Sequence, residues 1–136
     1  MIDYRKYIVN ENLEITAALK ILNELDLHKC LFVTDNKGKL CGTITDGDFR
    51  RWVIRKDKQG ICKSLMNSDF IYANLTNIEK KKKEAKKKRV SLIPLVDEKN
   101  IIIGAYETEL KLIERKRNTA VIMAGGKGTR LLPLTE

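Results

Sequence analysis

Gly42, Thr45 and Asp48 lie three residues apart in the stretch 40–51, LCGTITDGDFRR. Gly42 carries no side chain, so a ligand can come close to the backbone there. The Thr45 hydroxyl can donate to a phosphate, and the Asp48 carboxylate can accept from two neighbouring ribose hydroxyls. Thr43 and Asp46 fill the same turn. A second reading fits the same residues: Thr45-x-x-Asp48 is a capping box, in which the two side chains satisfy a helix's own first N–H groups. A second cluster of chemically capable residues, Gly125, Gly126, Lys127, Gly128, Thr129 and Arg130, follows the apolar run 120–124. Its spacing is neither G-x-x-x-x-G-K-[ST] nor G-x-G-x-x-G, which excludes a P-loop and a dinucleotide fingerprint.

Other chemistry finds little support. His28, the single histidine, falls in the turn 27–29 with no acid or nucleophile near it in sequence, which predicts a surface role. No Ser/His/Asp or Cys/His set can be assembled around it, and no metal site is expected. Cys30, Cys41 and Cys62 are odd in number and lack metal-ligand spacing; they read as small hydrophobes in a reducing compartment. Phe49, Trp52 and Val53 share one helix face, which predicts packing rather than base stacking.

The elements around the first cluster are legible from periodicity. Residues 7–9 predict a short strand. Residues 13–25 predict a helix, with apolar Ala18, Ile21, Leu22 and Leu25 at i, i+3, i+4, i+7. Cys30, Leu31, Phe32 and Val33 form a buried strand, Asp35-Asn36-Lys37-Gly38 a hairpin turn, and residues 40–44 its partner strand. A helix carrying Phe49 follows. The order is β-α-β-β-α.

That order returns. Asp35 and Asp97 end matching strands at an offset of 97 − 35 = 62. At this offset Asn12 falls on Asn74, Leu13 on Leu75, Lys37 on Lys99 and Gly42 on Gly104, without gaps. An internal repeat of this length is a stronger signal than either motif. It predicts a pseudo-twofold pair with clefts between the copies. The second copy is poorer: its helix, from about Asn77, keeps chiefly Ile78 and Ala85 as apolar residues, and Pro94 suggests an edge strand. Glu107 and Leu110 stand where Thr45 and Asp48 would be, so the second cradle is expected to be lost.

The net charge of +9 at 136 residues is concentrated in residues 80–89, KKKKEAKKKR, whose eight basic and one acidic residues contribute +7. The rest of the chain carries 9 − 7 = +2, and no aromatic residue interleaves the basic run. A solvated helix face is expected, with no nucleic-acid partner. The first residues after Met1 show no basic and apolar leader, and no run approaches membrane-spanning length, so a soluble cytoplasmic protein without a membrane partner is expected.

The tandem units resemble a CBS domain pair, or Bateman module, over roughly residues 1–116, and residues 42–48 match that family's G-h-x-T/S-x-x-D signature. The resemblance implies an α+β fold: tandem β-α-β-β-α CBS repeats at 1–56 and 69–116, joined by a linker at 57–68. It also implies an adenosine nucleotide (AMP, ADP or ATP) held by Gly42, Thr43, Thr45, Asp46 and Asp48, and association into a homodimer. A purely structural dimerisation module with empty clefts is the alternative.

Residues 117–136 are similar to the G-G-x-G-T/S-R-L-x-P-L-T opening of Rossmann-like sugar-phosphate nucleotidyltransferases, of the glucose-1-phosphate thymidylyl- or mannose-1-phosphate guanylyltransferase type. This implies that residues 125–130 wrap a nucleoside triphosphate, with Lys127 and Arg130 near its phosphates. The metal-binding carboxylate and sugar-phosphate pocket of that family would lie further on, and Mg is expected only there. The segment would be the first strand and loop of a truncated catalytic domain, giving a chain with no complete catalytic set of its own.

Overall fold

A computed structural model describes residues 2–55 and 60–108, and the elements expected at 110–136 lie outside these. A short 3-10 turn, Tyr4–Tyr7, leads into β1 (Ile8–Asn10), so the first strand starts one residue later than its apolar run. Then come α1 (Ile15–Glu24), β2 (Cys30–Thr34), β3 (Leu40–Thr45) and α2 (Asp46–Ile54). The short helix α3 (Cys62–Leu65) follows, then α4 (Ile78–Lys88), β4 (Leu92–Val96) and β5 (Ile102–Glu107). The fold is α+β as expected, and the order α1-β2-β3 returns in α4-β4-β5.

In the first repeat β2 is central, parallel to β1 and antiparallel to β3. Both faces of β2 are covered, which is why Leu31, Phe32 and Val33 are all fully buried rather than alternating. α1 lays Ile15, Ala18 and Leu22 on this sheet. The Lys29 ammonium closes the end of α1 by donating to the carbonyls of Leu22, Asn23 and Leu25.

The β2–β3 and β4–β5 hairpins are built alike. The Asp35 carboxylate accepts from the N–H groups of Lys37 and Lys39, and Asp97 does the same for Lys99 and Ile101. The left-handed position is Gly38 (φ 78°) in one turn and Asn100 (φ 64°) in the other. Both ladders shift register at the same place, Val33/Thr34 and Leu95/Val96.

The gapless offset of 62 holds for these hairpins but not before them. Asn10 makes the turn that starts the first repeat's helix, accepting from the Asn12 N–H; its counterpart is Asn74, accepting from the Thr76 N–H, an offset of 74 − 10 = 64. The difference of two sits between helix and strand. Five residues, 25–29, join α1 to β2, whereas three, 89–91, join α4 to β4. The shorter connection turns sharply through Arg89, which is left-handed at φ 56°, a conformation costly for a residue with a Cβ.

The second sheet is thinner. Pro94 has no N–H to extend a parallel ladder, and the strand that would match β1 is reduced to a single bridge between Ala73 and Leu95. Ile71, Ala73, Ala85 and Ile93 form a small cluster of their own, while Leu92, Val96 and Ile102 join the core of the first repeat. The second repeat therefore leans on the first, and α4 is held by few apolar contacts, as its composition predicts. The hairpin tips also meet directly: the Leu40 N–H donates to the Asn100 carbonyl, and the Asn100 amide donates back to the Leu40 carbonyl.

Candidate functional site

Thr45 ends β3 and caps α2, and the reason is local. Its extended backbone turns the chain into the helix, while Asp46 and Asp48 set negative charge in the first turn, where the helix dipole favours it. The capping box is present. Asp48 Oδ2 accepts from the Thr45 N–H at 2.8 Å and from the Thr45 hydroxyl at 2.7 Å. Asp48 Oδ1 accepts from the Arg51 guanidinium at 2.5 Å. Asp46 is turned outward and pairs with Arg50 at 2.6 Å.

Two N–H groups at this helix start are taken up within the chain. The Thr45 N–H goes to Asp48, and the Asp46 N–H goes to the Lys29 carbonyl. Positive charge comes instead from Arg51 and Arg55. With Asp48 and Trp52 they form one wall of a cleft of about 390 Å³, whose other wall is Ser64, Leu65, Met66 and Asn67. A volume of this size lies in the usual range for small-ligand pockets. A carboxylate flanked by two guanidinium groups suits a ligand with both an anion and a diol.

Of the five residues singled out in residues 42–48, Asp48 alone lines this cleft, and Thr45 touches it through Asp48. Gly42 is bare for a different neighbour. A Cβ there would stand 2.9 Å from the Asn67 carbonyl oxygen and 2.9 Å from Met66 Sδ. The close approach permits residues 66–67 to run against β3, where the Thr43 N–H donates to the Asn67 carbonyl and the Asn67 N–H to the Thr43 carbonyl. Gly42 and Thr43 thus fix the far wall of the cleft rather than face into it.

Sequence spacing could have found Arg51, Trp52 and Arg55, since positions 48, 51, 52 and 55 follow one helical face. Residues 64–67 carried no such signal, because their place depends on the long-range pairing with Thr43.

Cys30 stands opposite Thr45 in the ladder, close behind the site. Burial, with the Asp48 charge adding to it, pushes its thiol up to about 12. Burial likewise pushes the Cys62 thiol up to about 11. Both act as neutral, inert hydrophobes, as expected of them. Val53 does not pack with Phe49: Phe49 is buried, Trp52 half-buried and Val53 exposed.

The expected surface role of His28 is overturned. It is 7% exposed, and its Nε2 lies 2.8 Å from Glu107 Oε1, an acid 79 residues away that only the fold brings near. Glu107, at the position of Thr45, is therefore engaged in a bond to the first repeat. Leu110 and residues 125–130 lie outside the described residues.

Comparison with known proteins agrees with this architecture. Residues 4–55 match the family model described as CBS domain. An uncharacterized protein of Rickettsia prowazekii, RP505, is 34% identical over 98 residues, covering 71% of this chain; the chain spans 30% of that relative's length. The CBS domain pair of protein MJ0100, solved with 5′-methylthioadenosine and S-adenosyl-L-methionine, is 25% identical with a TM-score of 0.62, over 75% of this chain and 84% of that one. CBSX2 in complex with AMP is 20% identical, TM-score 0.60, covering 74% and 79%. The cytosolic domain of the Mg2+ channel MgtE in complex with ATP is 21% identical, TM-score 0.61, covering 75% and 42%. Residues 4–55 are a CBS domain, and the fold they build with residues 60–108 is that of a CBS pair.

Proposed function

We propose that this chain is a regulatory module that binds an adenosine nucleotide (AMP, ADP or ATP) in the cleft between α2 and residues 64–67. The observation that carries the reading is the convergence of Asp48, Arg51 and Arg55 on one cleft of about 390 Å³. Asp48 would hold the ribose hydroxyls and the arginines the phosphate, with Gly42, Thr43, Thr45 and Asp46 shaping the turn that presents them. The adenosine compounds in the MJ0100, CBSX2 and MgtE structures support an adenosine-type ligand.

The module regulates, in this proposal, a sugar-phosphate nucleotidyltransferase whose catalytic domain opens at residues 117–136, where residues 125–130 wrap its nucleoside triphosphate. The domain limits are those of the repeat: 1–56, 57–68 and 69–116. The protein works in the cytoplasm as a homodimer, for which the exposed Val53 and Ile54 on α2 offer apolar surface.

The structural-spacer reading has one observation in its favour. Both Asp48 oxygens are already bonded within the chain, as a cap requires. Isothermal titration of the full chain with AMP, ADP and ATP separates the two. One site per chain supports the sensor, because Glu107 replaces the second threonine and is bonded to His28. Two equal sites per chain would contradict the asymmetry, and heat of dilution alone would leave the spacer standing.

A further inference from the structure

We propose that Arg51 makes the cleft selective for nucleotides that carry a phosphate over uncharged nucleosides, a step that rests on reading the cleft as an adenosine nucleotide site. Asp48 can offer a ribose diol both lone pairs of one oxygen only if Oδ1 is released, and Oδ1 holds the Arg51 guanidinium at 2.5 Å. The other oxygen, Oδ2, is occupied by the backbone and hydroxyl of Thr45, whose N–H bond belongs to the helix cap. The exchangeable partner is therefore Arg51.

Its position makes the exchange easy. The Arg51 side chain is 67% exposed, while the Asp48 side chain is 11% exposed. Arg51 folds back over the first turn of α2, so that a Cβ on Gly47 would lie 3.7 Å from its Nη1. A helix N-terminus favours an anion and disfavours a guanidinium lying on it. A ligand phosphate entering the cleft offers Arg51 a bidentate partner in place of Asp48, and Arg55 lines the same wall. An uncharged nucleoside offers no such partner and must break the ion pair uncompensated. The ion pair thus taxes every ribose, and a phosphate refunds it.

The test compares the full-length chain with Arg51→Met and Arg51→Lys, titrated calorimetrically with AMP and with adenosine. In Arg51→Met, AMP affinity is expected to fall about tenfold to a hundredfold as a charge-assisted bond is lost. Adenosine affinity is expected to rise by about two- to fivefold, the worth of an exposed ion pair no longer competing for Asp48. Arg51→Lys keeps the charge without the fork and should bind AMP between the other two. A melting curve for each variant checks the fold, which an exposed side chain should leave intact.

Opposite signs for the two ligands support the proposal. A parallel loss for both, or no change in either, overturns it while leaving nucleotide binding in place. A wild-type chain that binds neither ligand overturns the nucleotide reading and this proposal with it.

Discussion

Replacing Asp48 by Asn decides whether the carboxylate is a ribose ligand or only a cap. The substitution keeps size and one oxygen, so the two bonds from Thr45 can persist on that oxygen. What goes is the charge that pairs with Arg51 and that complements the start of α2. Because Arg51 is largely in solvent, the ion pair contributes at most ~1 kcal/mol. The dipole contributes roughly 0.3–1 kcal/mol. The expected loss of stability is about 1 kcal/mol, or a melting temperature lower by roughly 4–8 °C for a domain near 100 residues.

The effect on binding should be larger. A charge-assisted hydrogen bond is worth roughly 1.5–3 kcal/mol, which predicts a tenfold to hundredfold loss of AMP affinity. The two quantities are measured separately, by thermal melting without ligand and by calorimetry with AMP on both proteins. A variant that melts lower by the expected amount, yet binds AMP as tightly as the wild type, would falsify the ribose role and leave Asp48 a helix cap.

Two further outcomes follow from groups outside the cleft. Glu107→Ala should cost about 1–2 kcal/mol in chemical denaturation by leaving the buried His28 Nε2 without its partner; equal midpoints for variant and wild type would show that the bond adds nothing. Raising the pH should weaken the fold from about 9 upward, by on the order of 1 kcal/mol per unit for each thiol. The sign follows from the raised values: unfolded thiols ionise near 9.0, while Cys62 and Cys30 hold their protons to about 11 and about 12. Melting between pH 8 and pH 11 checks this, and a Cys30→Ala/Cys62→Ala chain with the same slope would refute it.

What could be read from the chain beforehand was local. The stripe Ala18, Leu22 and Leu25 placed α1, and the Asp35 and Asp97 turns placed both hairpins because their bonds span only a few residues. Thr45 and Asp48 were legible as a pair for the same reason. The partners of that pair were less so. Arg51 and Arg55 follow the helical spacing of α2, but their meaning depends on the wall opposite. That wall, residues 64–67, is held by backbone bonds to Thr43 that no side-chain pattern announces. Gly42 was read as a place where a ligand comes close to the backbone; the segment that comes close is the chain itself, at residues 66–67.

The two departures from symmetry meet at one contact. Thr45 pairs with Cys30 in its ladder and Glu107 pairs with Leu92 in the other, so the two residues hold the same register position. The bond from the Asp46 N–H to the Lys29 carbonyl is likewise matched by one from the Thr108 N–H to the Ser91 carbonyl. From that shared frame the chemistry diverges. Thr45 turns its hydroxyl to Asp48, which lines the cleft, whereas Glu107 reaches across to His28. His28 sits in the five-residue connection between α1 and β2, the one that is two residues longer than its counterpart. The added length supplies a side chain to the first repeat, and the altered residue in the second repeat receives it. The position that matches Thr45 thus holds a carboxylate that helps bind the thinly packed second repeat to the first. The absence of a hydroxyl at Glu107 supports the proposal of one nucleotide site per chain, which the titration above tests.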